Sequence, residues 1–316
     1  MLTLQRLCHG LTAASLLFPL PSLAQPSPKP DSSRPTPQTL GTPEFLRTRC
    51  SLDGRNSYIE WRGAMYAFVP GEKQQKIFNI VGMSVARCFQ TQPLPNQPQQ
   101  WVITSRELTF YLDPKTNQIL NRWQNPWTQE ELSVMHVANN PVQSVLRNSD
   151  YPVSIDRAAV TFSLDIPLTY PNVLASDPKF ADYSADRLYQ AGEFFKLTVP
   201  LATIVDPSVV SASDVSGSWH RIGPWLPWMK MKGKPGQLVY SATLQKRLSF
   251  DELAPVLKQE INSRLPLYRE APTCFLAAKN ETSWTYFQKH FDAYLQGVQF
   301  PIAETDSSLP CHTKSP

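Results

Sequence analysis

Between Trp219 and Met231 the chain reads Trp-His-Arg-Ile-Gly-Pro-Trp-Leu-Pro-Trp-Met-Lys-Met, which holds three of its eight tryptophans, Trp219, Trp225 and Trp228. Tryptophan offers a large apolar face with one N–H donor, and prolines such as Pro224 and Pro227 stiffen the backbone that carries it. Joined by Trp61 from elsewhere in the chain, these rings could wall a pocket for a lipophilic or aromatic molecule, with His220 or Arg221 fixing its polar end. A well-packed core loop would use the same residues. Adjacent residues on a strand face opposite ways, so His220 and Arg221 line one pocket together only if a bulge intervenes.

Further groups could carry proton chemistry or hold a charge. His136, just before Asn139-Asn140-Pro141, has a side chain that titrates near neutrality and suits a general base. The alternative is a structural histidine bonded to a turn. Glu107 and Glu193 are the carboxyl groups that could work with His136 or His220 in an isomerase, cyclase or hydratase. Arg87 and Arg106 sit among apolar strand residues, where an inward charge is costly unless paired. Facing inward they would mark an ion pair or a seat for a ligand's anion, and facing outward they would be plain surface. Tyr111 is expected on the same cavity wall. His136, His220 and His290, with His312 in the tail, show no metal-ligand spacing, so no metal is expected. Phosphate-binding glycine motifs and Gly-x-Ser-x-Gly are absent, so no nucleotide cofactor and no hydrolase elbow are expected.

The elements that would position these residues are mostly strands. Phe45 to Leu52 leads into the hairpin signal Asp53-Gly54, and Ser57 to Val69, Lys76 to Val81, Ser84 to Phe89, Trp101 to Leu112, Gln118 to Trp123 and Glu131 to Val137 follow between turn residues. Ala158 to Leu164, Leu188 to Val199, Val209 to Ile222 and Gln237 to Leu248 continue the pattern, with loop and a short helix over Tyr170 to Asp186. Two helices close the chain. Ser249-Phe250-Asp251-Glu252 has the form of a capping box before Leu253, Val256, Leu257, Ile261 and Leu265. The second starts at Asn280 or Thr282 and aligns Trp284, Phe287, Phe291 and Tyr294, with Gly297 as its cap. Asn280-Glu281-Thr282 also matches a glycosylation sequon.

The chain is mildly basic, formally +4, with charge spread out and only the Lys230–Lys234 cluster grouped, so nucleic acid is not an expected partner. Residues 1–24 read as a signal peptide: Arg6, a short apolar run from Leu11 to Leu20, then Ser22-Leu23-Ala24. Residues 25–43, dominated by Pro, Ser, Thr and Gln, read as a disordered spacer. One β-rich domain over 44–305 and a tail over 306–316 complete the organisation. No later stretch is long and apolar enough to cross a membrane as a helix, and the expected location is exported, periplasmic or extracellular. Cys8 leaves with the signal, and Cys50, Cys88, Cys274 and Cys311 remain for an oxidising compartment. Three connectivities fit four cysteines; neighbouring elements favour 50–88 and 274–311, with buried free thiols as the alternative.

The chain resembles a family of uncharacterised, often exported proteins grouped as DUF1838. The resemblance rests on Ser51-Leu52-Asp53-Gly54-Arg55, Trp61-Arg62-Gly63, Thr109 to Asp113 with Pro114 and Thr116, Asn121-Arg122-Trp123 with Asn125-Pro126, His136 to Val142, Gly223 to Met229 and Glu281 to Phe287. It covers about Arg47 to Gly297. It implies no activity and no catalytic residues, and the plain signal here differs from the twin-arginine signals expected among relatives.

These readings converge on a mainly β domain, an antiparallel lipocalin-like barrel (a β-sandwich would give a similar string) with two C-terminal helices. Such a barrel is wide enough to hold one small ligand. Three functions are compatible with it: an exported binding protein for a small lipophilic or aromatic molecule, an enzyme acting on one by His/Glu acid–base chemistry, and a structural or interaction module with a filled interior.

Overall fold

The structure is a computed structural model, and it describes residues 38–91, 99–184, 186–304 and 310–311. The expected signal and most of the spacer lie outside the described residues. In chain order the elements are β1 (Gln38–Gly41), α1 (Thr42–Arg49), β2 (Ser57–Phe68), β3 (Gln75–Gln90), β4 (Trp101–Leu112), β5 (Arg122–Gln124), β6 (Glu131–Ser133) and β7 (Val137–Leu146). Then come β8 (Asp150–Asp156), β9 (Ala159–Pro171), β10 (Leu188–Pro200), α2 (Leu201–Val205), β11 (Ser216–Gly223), β12 (Gln237–Arg247), α3 (Pro255–Ser263), α4 (Ser283–Lys289) and α5 (Phe291–Leu295).

Ten strands form one antiparallel sheet in the order β1-β8-β9-β10-β11-β12-β2-β3-β4-β7, while β5 and β6 pair apart from it. Short connections dictate its shape. Leu146 ends β7 and Asp150 begins β8, so the two ends lie no more than about 14 Å apart along even a stretched chain. Laid flat, the eight spacings from β8 to β7 would put those strands about 38 Å apart. The sheet therefore curls, and its two edges turn toward each other as a barrel-like shell. The Thr42 hydroxyl, at the start of α1, bonds this corner, accepting from the Ser149 N–H at 3.0 Å.

Two buried clusters fill the shell. One contains Phe45, Leu46, Ile59, Phe162, Leu197 and Leu244, with α1 packed on that end, and the Cys50–Cys88 disulfide sits within it. The other contains Met65, Phe78, Tyr111, Trp228, Tyr240, Trp284 and Phe287, covered by the C-terminal helices. Trp61 and Trp219 pack against both. The second disulfide joins Cys274 to Cys311 and holds the chain's last described residues.

The fold class expected from the sequence is present, with local differences that have physical causes. Phe45 to Leu52 is not a strand: Thr42–Arg49 is a helix that buries Phe45, Leu46 and Thr48. The folded part begins earlier than Glu44, because Gln38–Gly41 pairs with β8. Lys76 to Val81 and Ser84 to Phe89 are one continuous strand, β3. Gly82 at its centre is no turn; the Trp61 indole and the Leu108 carbonyl occupy the space where a Cβ would stand. The expected Ser249–Glu252 capping box does not form: the Ser249 hydroxyl donates to the Glu252 carboxylate at 3.1 Å and accepts from no backbone N–H. Phe250–Glu252 is a turn of 3₁₀ helix, and the α-helix begins only at Pro255. Among the described residues no helix is long and apolar enough to cross a membrane.

Candidate functional site

Strand alternation decides which charged side chains reach the interior. In register, Asn139 lies beside Glu107, Glu107 beside Ser84, and Ser84 beside Ile59, which makes an inward row across four neighbouring strands. A second inward row joins Glu193 to Arg221 and Arg221 to Tyr240. Both rows line a cavity of about 300 Å³, at the lower end of the range for ligand pockets. It lies where the two buried clusters meet. Leu168 and Tyr170 of β9 line one side, Val137 and Val142 of β7 the other, and the segment Asn280–Trp284 spans the gap between those edges.

The walls are largely aromatic. Trp219 is tilted against Trp61 with ring centroids 5.9 Å apart, against Tyr240 at 5.4 Å, and is stacked on Phe195 at 6.4 Å. Trp61 donates its indole N–H to Thr109 Oγ1 at 3.3 Å. Arg221 is fixed three ways: an ion pair to Glu193 at 3.4 Å, a short hydrogen bond to the Tyr189 hydroxyl, and the Tyr240 ring 5.1 Å away. The Tyr240 hydroxyl in turn lies 3.3 Å from that of Tyr111.

The three carboxyl groups that line the cavity are all held above their ordinary range. Burial pushes Glu107 up, offset in part by the hydrogen bond it accepts from Asn139 Nδ2 at 3.3 Å and by the charge of Arg49. Burial also raises Glu193, opposed by Arg221 and reinforced by Glu107. Glu281, which lines the same cavity, is pushed up to about 7 by burial, although it pairs with Lys289 at 3.5 Å.

Four polar groups that line the cavity lack a protein partner among the described residues. Ser84 Oγ, Asn139 Oδ1 and Trp219 Nε1 are buried and unbonded, and the Arg49 guanidinium forms no hydrogen bond or ion pair. A buried polar atom without a partner costs about 1–3 kcal/mol, and three such atoms, Ser84 Oγ, Asn139 Oδ1 and Trp219 Nε1, line this one hollow together with the Arg49 guanidinium.

Of the residues singled out from sequence, Trp61, Glu107, Glu193, Trp219 and Arg221 come together here. The others lie elsewhere. His220 is exposed on the outer face, because its neighbour Arg221 points in and no bulge intervenes. His136 is buried outside the cavity, where its Nδ1 accepts the Tyr111 backbone N–H at 3.1 Å. Burial, reinforced by the charge of Arg264, lowers it to about 3, so it stays neutral and is a poor acid–base group at neutral pH. Arg87 and Arg106 point away from the cavity, opposite in parity to Ser84 and Glu107, and neither is plain surface: Arg87 is half-buried and Arg106 fully buried. Arg87 pairs with Glu270 at 3.0 Å, and Arg106 bonds Asn140 at 2.9 Å and the carbonyl of Leu267 at 3.2 Å. Tyr111 is fully buried and reaches the site only through Tyr240. Trp225 gives its N–H to the Lys234 carbonyl at 3.1 Å, and Trp228 is packed among Phe78, Tyr111 and Trp123.

Sequence reasoning missed Arg49, Ser84, Asn139, Phe195, Tyr189 and Tyr240. The alternation Leu238, Tyr240, Ala242, Leu244, Lys246 could have signalled Tyr240, since those five are buried together on one face of β12. Arg49 carried no such signal once its helix was read as a strand. Among the described residues no group of three or more His, Cys, Asp or Glu side chains is placed to hold a metal ion.

A family model described as a protein of unknown function, DUF1838, matches residues 54–291. No curated protein matches the chain.

Proposed function

The chain belongs to the DUF1838 family of proteins of unknown function, and from that premise we propose that it binds a small lipophilic or aromatic molecule inside the barrel. One observation carries the reading: the aromatic cavity of about 300 Å³ gathers unpartnered polar groups on its wall. Apolar walls with a few convergent polar groups are the usual make-up of a small-molecule site. Trp61, Trp219 and Phe195 supply contact area, and Arg221, held by Glu193 and Tyr189, supplies a fixed polar edge. Two disulfides suit an oxidising compartment, so the protein acts after export.

The test is a titration with N-phenyl-1-naphthylamine, a neutral probe that brightens in apolar surroundings. Saturable binding is expected in the wild type, and its loss is expected when Leu168→Trp fills the wall of the hollow. Binding that survives this filled variant would remove the cavity from the account.

A second reading, catalysis, is favoured by one feature: Glu107 and Glu193 share the cavity, and burial holds both toward the protonated form. Two such carboxyls can serve as proton donor and acceptor for a cyclase, isomerase or hydratase. Incubation with extracted lipophilic metabolites separates the readings. Return of unchanged ligand supports binding, whereas a rearranged or mass-shifted product that Glu107→Gln abolishes supports catalysis.

A further inference from the structure

The three fully buried arginines that are described each have partners. Arg47 donates to the Ile204 carbonyl at 2.8 Å and pairs with Glu44 at 3.4 Å. Arg221 is held by Glu193 and Tyr189, and Arg106 by Asn140 and main-chain carbonyls. Arg49 differs. Its guanidinium lines the cavity and, among the described residues, meets no acceptor within hydrogen-bonding range and no carboxylate within ion-pair range.

The backbone that carries Arg49 is held on several sides. Lys246 Nζ donates to the carbonyls of Arg47 at 2.6 Å and Cys50 at 3.0 Å. Ser57 Oγ donates to the Arg49 carbonyl at 3.3 Å, and the next residue, Cys50, is bonded to Cys88. A five-donor fork has thus been set on a rigid support, half-buried in the cavity wall, with its donors unused. Ser84 Oγ and Trp219 Nε1 line the same cavity and also lack acceptors. Of the four unpartnered groups in the cavity, Asn139 Oδ1 is an acceptor while Arg49, Ser84 and Trp219 can donate; those donors suit an anion, and a guanidinium fork matches a carboxylate in bidentate geometry.

Resting on the cavity-binding reading, we propose that the guest is a small aromatic or lipophilic carboxylate whose anionic head is received by Arg49, with Ser84 as an additional donor. The surrounding charges permit it. Glu193 is already paired with Arg221, and Glu107 is buried and bonded to Asn139, which favours its neutral, proton-carrying form beside an arriving anion. The apolar part of the guest then lies along Trp61, Trp219 and Phe195.

Calorimetric titration with 2-naphthylacetate and 2-naphthylacetamide tests this, because the two probes share shape and differ in charge. The wild type is expected to bind the acid at least tenfold more tightly than the amide. Arg49→Gln should bring that ratio to about one by weakening the acid alone, and Arg49→Lys should keep part of the preference because it keeps the charge without the fork. Equal binding of acid and amide to the wild type, or a tenfold preference that persists in Arg49→Gln, overturns the proposal while leaving the cavity reading standing. Failure of both probes to bind overturns the cavity reading and the carboxylate with it. Should Arg49→Gln not fold, the wild-type ratio and Ser84→Ala, expected to weaken the acid severalfold and spare the amide, decide the matter.

Discussion

Trp219 and Trp228 come from one short stretch of chain, yet they have opposite surroundings. Trp228 sits in the 3₁₀ turn Pro227–Met229, enclosed by Phe78, Tyr111 and Trp123, and Tyr294 donates to its carbonyl at 2.9 Å. Trp219 lies on β11, half-buried, with rings on some sides and the cavity on another. Both indole N–H groups lack partners, but that of Trp228 is sealed among rings while that of Trp219 shares its hollow with Arg49, Ser84 and Asn139. A tryptophan-rich segment therefore does two jobs: its C-terminal half fills one end of the shell, and its N-terminal half leaves room in the middle.

The sharpest way to break this comparison is to truncate each ring. Trp228→Ala should cost about 3–5 kcal/mol of stability, the usual loss for a buried aromatic. Trp219→Ala should cost only about 1–2 kcal/mol, because less of it is packed, while abolishing saturable probe binding. Urea denaturation measures the first quantity and probe titration the second. Equal stability losses would mean that Trp219 is core like its neighbour.

The same contrast between sealed and cavity-facing groups has a pH signature. His136 titrates at about 3 in the folded protein and near 6.5 when unfolded. The unfolded chain therefore binds more protons across that window, and stability is lost as pH falls from 6.5 toward 3, by up to roughly 5 kcal/mol. Glu281, raised to about 7, acts in the opposite sense. The folded protein keeps that proton longer, so its contribution is present at low pH and fades as pH rises from 4.5 to about 7. His136→Gln should flatten the acid limb, and Glu281→Gln the limb approaching neutrality, in melting temperatures recorded from pH 3 to pH 8. An acid limb unchanged in His136→Gln would contradict the sealed, neutral histidine.

Smaller effects sharpen the boundary of the site. Gly82→Ala places a methyl group where the Trp61 indole lies, so the ring must turn and lose its bond to Thr109. About 1–3 kcal/mol of destabilisation is expected, as for other overpacked sites, together with weaker probe binding. His220→Ala, on the outer face, should change stability by no more than about 0.5 kcal/mol and leave probe affinity untouched. A large effect there would mean that the strand's alternation has been assigned to the wrong faces.

Long elements with period-two alternation were legible from sequence. Trp101–Leu112 and Gln237–Arg247 are strands almost to the residue, since alternating burial imprints directly on composition. Both disulfides join the cysteines that neighbouring elements favoured. Misreadings arose where a local signal had another cause. Gly82 looked like a break but makes room for Trp61, and Phe45 with Leu46 before Asp53-Gly54 looked like a hairpin arm but forms the packed face of a helix. The site was only half legible for a similar reason. Parity sends Glu107 in and Arg106 out, and Arg221 in and His220 out, and the absolute phase of that alternation depends on which face the sheet curls around. Arg49, Ser84 and Tyr240 meet only through that curl, so no spacing along the chain announces them.

The central claim is that ligand enters beside Trp219 and not beside Trp228. The indole N–H resonances of ¹⁵N-labelled protein report on each of the eight tryptophans separately. On addition of N-phenyl-1-naphthylamine, the signals of Trp219 and Trp61 should shift in a saturable way while those of Trp225 and Trp228 stay in place. Shifts confined to Trp225 and Trp228, or no saturable shift at any indole, would contradict the account.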